Sequence, residues 1–190
     1  MTRIIHSSLD SITREDIDSA NKNLHVIKLK KSNDLETSWE EAVAHVNNIA
    51  NEEQFKKLGD FYTIGMLSDD SVDIKNLKPL IQKIENFYQD SVVGICTFTN
   101  FATSDSPIVI HKDGWNSCFW QGVGKTEWKI YDSPLSEIYE SFIVDSGEFL
   151  YIPQGVYHTV VAKEPRFSIS FQFLSKNNTV PCCWNCMNDD

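Results

Sequence analysis

Three side chains with the chemistry of metal ligands lie in the second half of this 190-residue chain. His111 and Asp113 stand two residues apart at the end of an apolar run, and His158 follows in a later β-rich run. A β-strand directs residues i and i+2 to the same face, so the first imidazole and the carboxylate converge on one point. Two His and one carboxylate form the facial triad that suits non-haem Fe(II) and leaves coordination positions open. The sequence therefore predicts a metal site.

The spacing alone is weak evidence, because a chain with 27 acidic residues and five His is expected to contain such a pair by chance. His111 could be a surface residue at a strand end, and Asp113 a turn former before Gly114. The context adds specificity. An apolar-rich segment with Gln121, Gly124 and Trp128 follows the pair, and the phrase Gly-acid-x-Leu-Tyr-Ile-Pro-x-Gly-x-x-His ends at His158.

Short strands separated by turns with Gly and Pro dominate the chain after residue 90, which is typical of a sandwich or jelly roll. They are predicted over 91–99, 107–111, 117–121, 125–131, 148–152, 157–161 and 166–173. Earlier, 25–30 alternates like a half-buried strand at the edge of the main sheet, and 61–67 is a further strand. Apolar residues at three- and four-residue steps predict covering helices over 36–55 and 76–88, after a short helix at 14–21. The expected fold is mainly β with flanking helices (α+β).

Taken together, the segment that begins with His111 and Asp113 and the motif that ends at His158 resemble the JmjC-type, cupin-fold 2-oxoglutarate oxygenases. The resemblance is greatest to the branch that contains the ribosomal oxygenases. The resemblance covers roughly residues 92–174. It implies a double-stranded β-helix (jelly roll, cupin-like), with Fe(II) and 2-oxoglutarate as cofactors. It also implies hydroxylation of a C–H bond, with succinate and CO2 as co-products.

One domain is expected over residues 1–178, with N-terminal strands and two covering helices in 1–90 and the jelly-roll core in 91–174. Residues 179–190 form a Cys-rich tail with Cys182, Cys183 and Cys186. These thiols could bind a metal or cycle as a dithiol. A zinc site needs four ligands, however, and no His lies nearby, so a loose tail is the default expectation.

The resembled family usually holds the far carboxylate of 2-oxoglutarate with a Lys two residues before the aromatic position occupied here by Trp128. This chain has Thr126 there, and its Lys is displaced to Lys125, which strand alternation directs away from the metal ligands. The segment Arg166-Phe167-Ser168 resembles the Arg-x-Ser element with which another branch grips the same carboxylate, and Arg can do so bidentately. Arg166 could equally be a solvated turn residue.

Alternation along the last strand puts a polar set on one face and Phe167, Ile169, Phe171 and Phe173 on the other. The polar set is Arg166, Ser168, Ser170 and Gln172. Asn100 matches an Asn that precedes the metal strand in the ribosomal-oxygenase branch. The candidate contacts for 2-oxoglutarate are therefore Arg166, Ser168, Thr126, Asn100, Lys125 and Ser170. Trp115 is expected to face the substrate, whereas Trp120 and Trp128 are expected in the core.

The formal net charge of −10 argues against a nucleic-acid backbone as the main partner, because phosphate binding needs clustered Lys and Arg. A cationic substrate or basic protein patch would be attracted more easily, although such charge also serves solubility. No apolar run approaches the ~18 residues of a membrane span. The first residues lack the apolar core of a secretory signal, so a cytoplasmic location is expected.

The favoured hypothesis is an oxygenase that hydroxylates a small molecule, such as a basic amino acid, or a protein side chain. Another metal-dependent cupin, an isomerase or a dioxygenase that does not use 2-oxoglutarate, is the first alternative. A non-catalytic binding cupin is the second. The fold by itself does not separate these hypotheses, because the same barrel hosts many functions.

Overall fold

The computed structural model describes residues 4–8, 11–30, 37–49, 55–58, 61–66, 82, 86, 91–100, 104–105, 109–137 and 139–175. Two elements in this part of the chain are longer α-helices, α1 (Arg14–Asn23) and α2 (Trp39–Ile49). The strands are β1 (Ile4–Ser7), β2 (Val26–Leu29), β3 (Phe55–Leu58), β4 (Phe61–Met66), β5 (Ser91–Asn100), β6 (Ser104–Asp105), β7 (His111–Lys112), β8 (Asn116–Val123), β9 (Thr126–Tyr131), β10 (Tyr139–Val144), β11 (Phe149–Ile152), β12 (Tyr157–Ala162) and β13 (Arg166–Ser175).

The strands form two sheets. The larger has eight strands in the order β1-β2-β11-β8-β13-β5-β4-β3. The smaller has the order β10-β9-β12-β6, and β7 also pairs with β12. Several neighbouring strands, such as β2 and β11, β8 and β13, and β13 and β5, come from distant parts of the chain, as in a jelly roll. The predicted architecture, mainly β with flanking helices, is confirmed.

The strands β2, β8, β11 and β13 of the eight-stranded sheet have buried side chains on both faces. One face packs against the helices through a cluster that includes Ile17, Ala20, Ala42, Cys118, Trp120, Phe149, Tyr151, Phe167, Ile169 and Phe171. The other face packs against the smaller sheet through Val26, Phe119, Trp128, Ile130, Val144, Leu150, Ile152 and Val156. The second cluster is the apolar part of the barrel interior.

Helix α1 begins with a capping box, in which the Thr13 side chain accepts from the Asp16 backbone N–H and the Asp16 carboxylate accepts from the Thr13 backbone N–H. Its buried side chains, Ile17 and Ala20, join the cluster beneath the sheet. The Tyr151 hydroxyl donates to Asn21 Oδ1 at 2.7 Å and ties this helix to β11. None of the helices in the described residues is long and apolar enough to span a membrane.

Two predictions about the N-terminal half are wrong. The strand around residues 25–30 is not an edge, because β1 pairs with β2 in parallel on its outer side. Helix α2 ends at Ile49 rather than near residue 55, where β3 begins. His45, on α2, is buried, and its ring packs edge-on against Phe167 with 5.9 Å between ring centroids.

Strand β10 was not predicted, and the strand expected over 107–111 is much shorter. Of that range, 109–111 are described, and only His111 belongs to a strand. Val109, just before it, is largely exposed. The helix expected over 76–88 lies outside the described residues except at Gln82 and Asn86, where the Asn86 N–H donates to the Gln82 carbonyl, as in one helical turn.

Gly124 lets the turn between β8 and β9 approach the start of β13. Its φ of +78° is left-handed, and a Cβ there would lie 2.0 Å from the Pro165 carbonyl oxygen. Gly155, in the turn before β12, is also left-handed at φ +86°, but a Cβ there would meet nothing within 4 Å. Both glycines have a left-handed backbone, but only Gly124 is also required by the close approach of another segment.

Gly155→Ala is expected to lower the free energy of unfolding by about 1–2 kcal/mol, because only the left-handed conformation opposes the added methyl group. Gly124→Ala should lower it substantially more, since the backbone at Pro165 must also move. Urea denaturation followed by tryptophan fluorescence measures both losses. Equal losses in the two variants would contradict the close approach at Gly124.

Candidate functional site

The three predicted metal ligands lie together. Strand β7 pairs antiparallel with β12 so that His111 stands directly opposite His158, and their ring centroids are 4.3 Å apart. Asp113 follows β7 immediately. Each of the three residues offers one ligand atom, and these atoms lie within 4.8 Å of one another. The group could therefore hold a metal ion.

Both imidazoles are oriented by a carbonyl oxygen two residues earlier in the chain. His111 Nδ1 lies 3.0 Å from the Val109 carbonyl oxygen, and His158 Nδ1 lies 3.0 Å from that of Val156. A carbonyl oxygen only accepts, so each Nδ1 carries a proton, and in the neutral form of either ring Nε2 has a free lone pair. In this tautomer Nε2 of each ring can bind a metal.

A double clamp holds the turn before His158 against the loop that carries Asp113. The Gly155 N–H donates to the Asp113 carbonyl oxygen at 3.0 Å, and the Gln154 N–H donates to Asn116 Oδ1 at 2.8 Å. The left-handed Gly155 makes this turn possible. Sequence reasoning missed Asn116, because its contact depends on a segment far along the chain.

Burial lowers the pKa of His158 to about 4, and the electrostatic influence of the neighbouring His111 acts in the same direction. Asp113 and the hydrogen bond to Val156 oppose this shift. His158 is therefore neutral at pH 7, as a metal-binding imidazole must be.

The barrel interior has a polar wall along β13, in addition to its apolar part. Arg166, Ser168, Ser170 and Gln172 are all buried and alternate with the Phe167 side of the strand. Burial lowers the pKa of Arg166 to about 10, so its guanidinium stays positive at neutral pH. Asn100 pairs with Arg166 in the backbone register between β5 and β13.

Gln121 is the centre of a buried hydrogen-bond network that joins the two sheets. Its Oε1 accepts from the Thr126 and Ser168 hydroxyls, both at 3.0 Å, and its Nε2 donates to the Val123 carbonyl oxygen at 2.7 Å. The Trp128 indole N–H donates to Thr126 Oγ1 at 3.2 Å. The sequence alone predicts no site role for Gln121. Its place in the apolar-rich β8 was the signal that it is buried.

The network determines whether Thr126 and Ser168, two of the candidate contacts, can donate a hydrogen bond to 2-oxoglutarate. Each hydroxyl has one proton, and those of Thr126 and Ser168 are both donated to Gln121. Neither therefore has a proton left for a carboxylate in this arrangement.

Lys125 is not brought to the site. Because Thr126 faces the interior, its neighbour faces outward and is about half exposed. There the Lys125 ammonium lies 3.1 Å from the Glu164 carboxylate and 3.6 Å from that of Asp145. The hydrogen bond and the charge of Glu164 are the main causes that raise the pKa of Lys125. The outward direction of the Lys125 side chain follows from the alternation of side chains along the strand.

Trp115 is buried, and it belongs to neither of the two core clusters. Its indole N–H has no hydrogen-bond partner among the residues that the structure describes. Trp120 and Trp128, by contrast, belong to the two core clusters, as expected.

Two solved structures have a similar fold over most of the chain. One, from Burkholderia pseudomallei, is described as an oxidoreductase of the 2OG-Fe(II) oxygenase family; it has a TM-score of 0.56, with 14% identity over 91% of this chain and 95% of that one. The other, E. coli ycfD, has a TM-score of 0.55, with 14% identity over 89% of this chain and 54% of that one. The fold is the double-stranded β-helix of the cupins.

Oxalate decarboxylase from Bacillus subtilis also matches, with a TM-score of 0.45 and 10% identity, and this chain spans 27% of its length. A likeness at these identities is one of fold alone. No protein-family model and no curated protein matches the sequence.

Acidification should destabilise the metal-free protein through His158. Between pH 6.5 and about 4 the unfolded chain protonates this residue and the folded chain does not, so the free energy of unfolding falls as the pH falls. The expected contribution over this window is on the order of 3 kcal/mol. It is present above pH 6.5 and lost toward pH 4.

Urea denaturation in the presence of a chelator, at several pH values, measures this dependence in the wild type and in His158→Phe. The variant should have the shallower pH dependence, because the other titrating groups are common to both proteins. Identical slopes would contradict the burial of a neutral His158.

Proposed function

We propose that this protein is an Fe(II)- and 2-oxoglutarate-dependent oxygenase of the JmjC type, related to the branch that contains the ribosomal oxygenases. The observation that carries the proposal is the convergence of His111, Asp113 and His158, with both imidazoles oriented to offer Nε2. Two imidazoles and a carboxylate match the ligand preference of non-haem Fe(II). When bound, Fe(II) with 2-oxoglutarate and O2 would supply oxidative decarboxylation to succinate and CO2, coupled to hydroxylation of a C–H bond.

The residues of the chain would bind and orient the reactants. Arg166 is a buried cation on the polar wall, and its guanidinium could bind the far carboxylate of 2-oxoglutarate bidentately. Ser170, on the same wall, could complete this contact. The apolar cluster around Phe119 and Ile130 keeps water from the other half of the interior.

The substrate side is expected near Trp115, which follows Asp113 closely and whose indole N–H has no hydrogen-bond partner among the described residues. We infer a small molecule, such as a basic amino acid, or a protein side chain. The net charge of −10 favours a cationic substrate over a nucleic acid or an anionic membrane surface.

A metal-dependent cupin that does not use 2-oxoglutarate is the second candidate. It is favoured by Thr126, which stands where the resembled family usually has a Lys and which donates its only hydroxyl proton to Gln121. An isomerase or a different dioxygenase would need the metal ligands and a polar interior. It would not need a cationic side chain to bind the far carboxylate of 2-oxoglutarate.

Succinate formation without a prime substrate tests the oxygenase class, because many such enzymes turn over 2-oxoglutarate slowly in an uncoupled reaction. Anaerobically purified protein would receive Fe(II), ascorbate, 2-oxoglutarate and air. Succinate is expected from the wild type and not from His111→Ala. Absence of succinate, together with no binding of 2-oxoglutarate in calorimetry, would favour the second candidate.

Arg166→Ala is expected to weaken 2-oxoglutarate binding by roughly 10–100-fold, the equivalent of one lost charge-assisted contact. Lys125→Ala should leave it unchanged, because this side chain lies outside the barrel in ion pairs. Calorimetry on metal-loaded protein gives both affinities.

Because Arg166 is buried, Arg166→Lys serves as the milder variant and should bind more weakly than the wild type but better than Arg166→Ala. Circular dichroism would check that each variant is folded. A larger loss in Lys125→Ala than in either Arg166 variant would overturn the assignment of Arg166.

A further inference from the structure

Thr126 is the residue at which this chain departs from the resembled family, and the structure gives it a role of a different kind. Its side chain is fully buried on the inner face of β9. It accepts from the Trp128 indole N–H and donates to Gln121 Oε1. Both hydrogen bonds lie within the barrel interior.

The directions of these bonds are forced by chemistry. An indole N–H only donates, so Thr126 Oγ1 must accept from Trp128, and its one proton is left for Gln121. The Gln121 amide is oriented by its Nε2, which donates to the Val123 carbonyl. A Lys at position 126 has donors only, and it would leave the Trp128 N–H without its acceptor.

Trp128 in turn contacts a metal ligand. Its ring lies 5.3 Å from that of His158 between centroids, with only 30° between the two planes. Phe119 packs edge-on against Trp128 at 4.8 Å. The indole is therefore held by Phe119, by its hydrogen bond to Thr126, and by the His158 ring.

The His158 ring is fixed at two points. Its Nδ1–H is tied to the Val156 carbonyl, and the Trp128 ring limits rotation of the imidazole out of its plane. The polar contacts and neighbours of a ligand imidazole determine where its free nitrogen points. The orientation of Trp128 thus affects where His158 Nε2 lies.

We propose that Thr126 is a positioning residue for the metal ligand His158 and acts on it through Trp128, rather than as a contact of the co-substrate. This inference rests on the metal site of the proposed function. It does not require that 2-oxoglutarate binds. The chain from Gln121 through Thr126 and Trp128 to His158 couples the inter-sheet network to the metal ligand set.

The test compares Thr126→Val with Thr159→Val. Both variants lose one hydroxyl at nearly constant volume, but Thr159 lies half-buried on the other side of the same sheet, where its hydroxyl bonds to that of Tyr131 at 3.2 Å. The measured quantities are the dissociation constant for Fe(II), by anaerobic titration, and the tryptophan fluorescence of the metal-free protein.

Thr126→Val is expected to weaken Fe(II) binding by roughly 10–100-fold, the range typical of groups that orient metal ligands. Its tryptophan emission should change, because the Trp128 N–H loses its acceptor. Thr159→Val should keep the wild-type affinity. Thr126→Ser restores a hydroxyl in the same place and should recover most of the affinity.

Trp128→Phe provides an independent variant if Thr126→Val does not fold, since it removes the N–H and keeps an aromatic ring. It should also weaken Fe(II) binding. Wild-type Fe(II) affinity in Thr126→Val or in Trp128→Phe would overturn the inference.

Unchanged Fe(II) affinity with weaker 2-oxoglutarate binding in Thr126→Val would identify Thr126 as a co-substrate contact instead. Failure of the wild type to bind Fe(II) would overturn the proposed function and this inference together. Fe(II) binding without any binding of 2-oxoglutarate would overturn only the oxygenase class.

Discussion

The candidate site depends on the direct pairing of His111 with His158 across β7 and β12. Strand β7 has only two residues, so this pairing is held by few backbone hydrogen bonds of its own. The clamp from Asp113 and Asn116 to the turn at Gly155 supplies the missing restraint. A short strand and a tight turn thereby bring His158 to the imidazole of His111 and the carboxylate of Asp113, which lie much earlier in the sequence.

The second constraint is that the polar groups buried in the interior need hydrogen-bond partners. Buried hydroxyl and amide groups are costly unless each finds a partner. Gln121 satisfies two hydroxyls from opposite sheets and one backbone carbonyl, and it thereby stabilises the contact between the sheets. The same arrangement removes two hydroxyl protons from use in binding a carboxylate. The buried Arg166 then becomes the main candidate for that task.

The sequence predicted the parts of the fold that follow from local periodicity. The alternation of β13, the inward face of Thr126 and the outward face of Lys125 depend only on the two-residue period of a strand. Strand β10 was missed because two of its outward residues, Tyr139 and Ile143, are large hydrophobic residues that are exposed. The order of polar and apolar residues along this strand therefore does not match the order of exposed and buried ones.

The contacts of Asn116 and Gln121 could not be read from the sequence for a different reason. They depend on the register between strands that are distant in the chain, such as β8 and β13. The bulge in that register between Phe167 and Ser168 has no local sequence signal. The three candidate metal ligands could be predicted because two of them lie at the same strand end and the third ends a recognisable sequence motif.

The most direct test of this account is an anaerobic titration of the purified protein with Fe(II), in the wild type and in Asp113→Ala. The account predicts one tight site per chain in the wild type and its loss in the variant, with an unchanged circular dichroism spectrum. Equal Fe(II) affinity in the two proteins would contradict the assignment of His111, Asp113 and His158 as a metal centre.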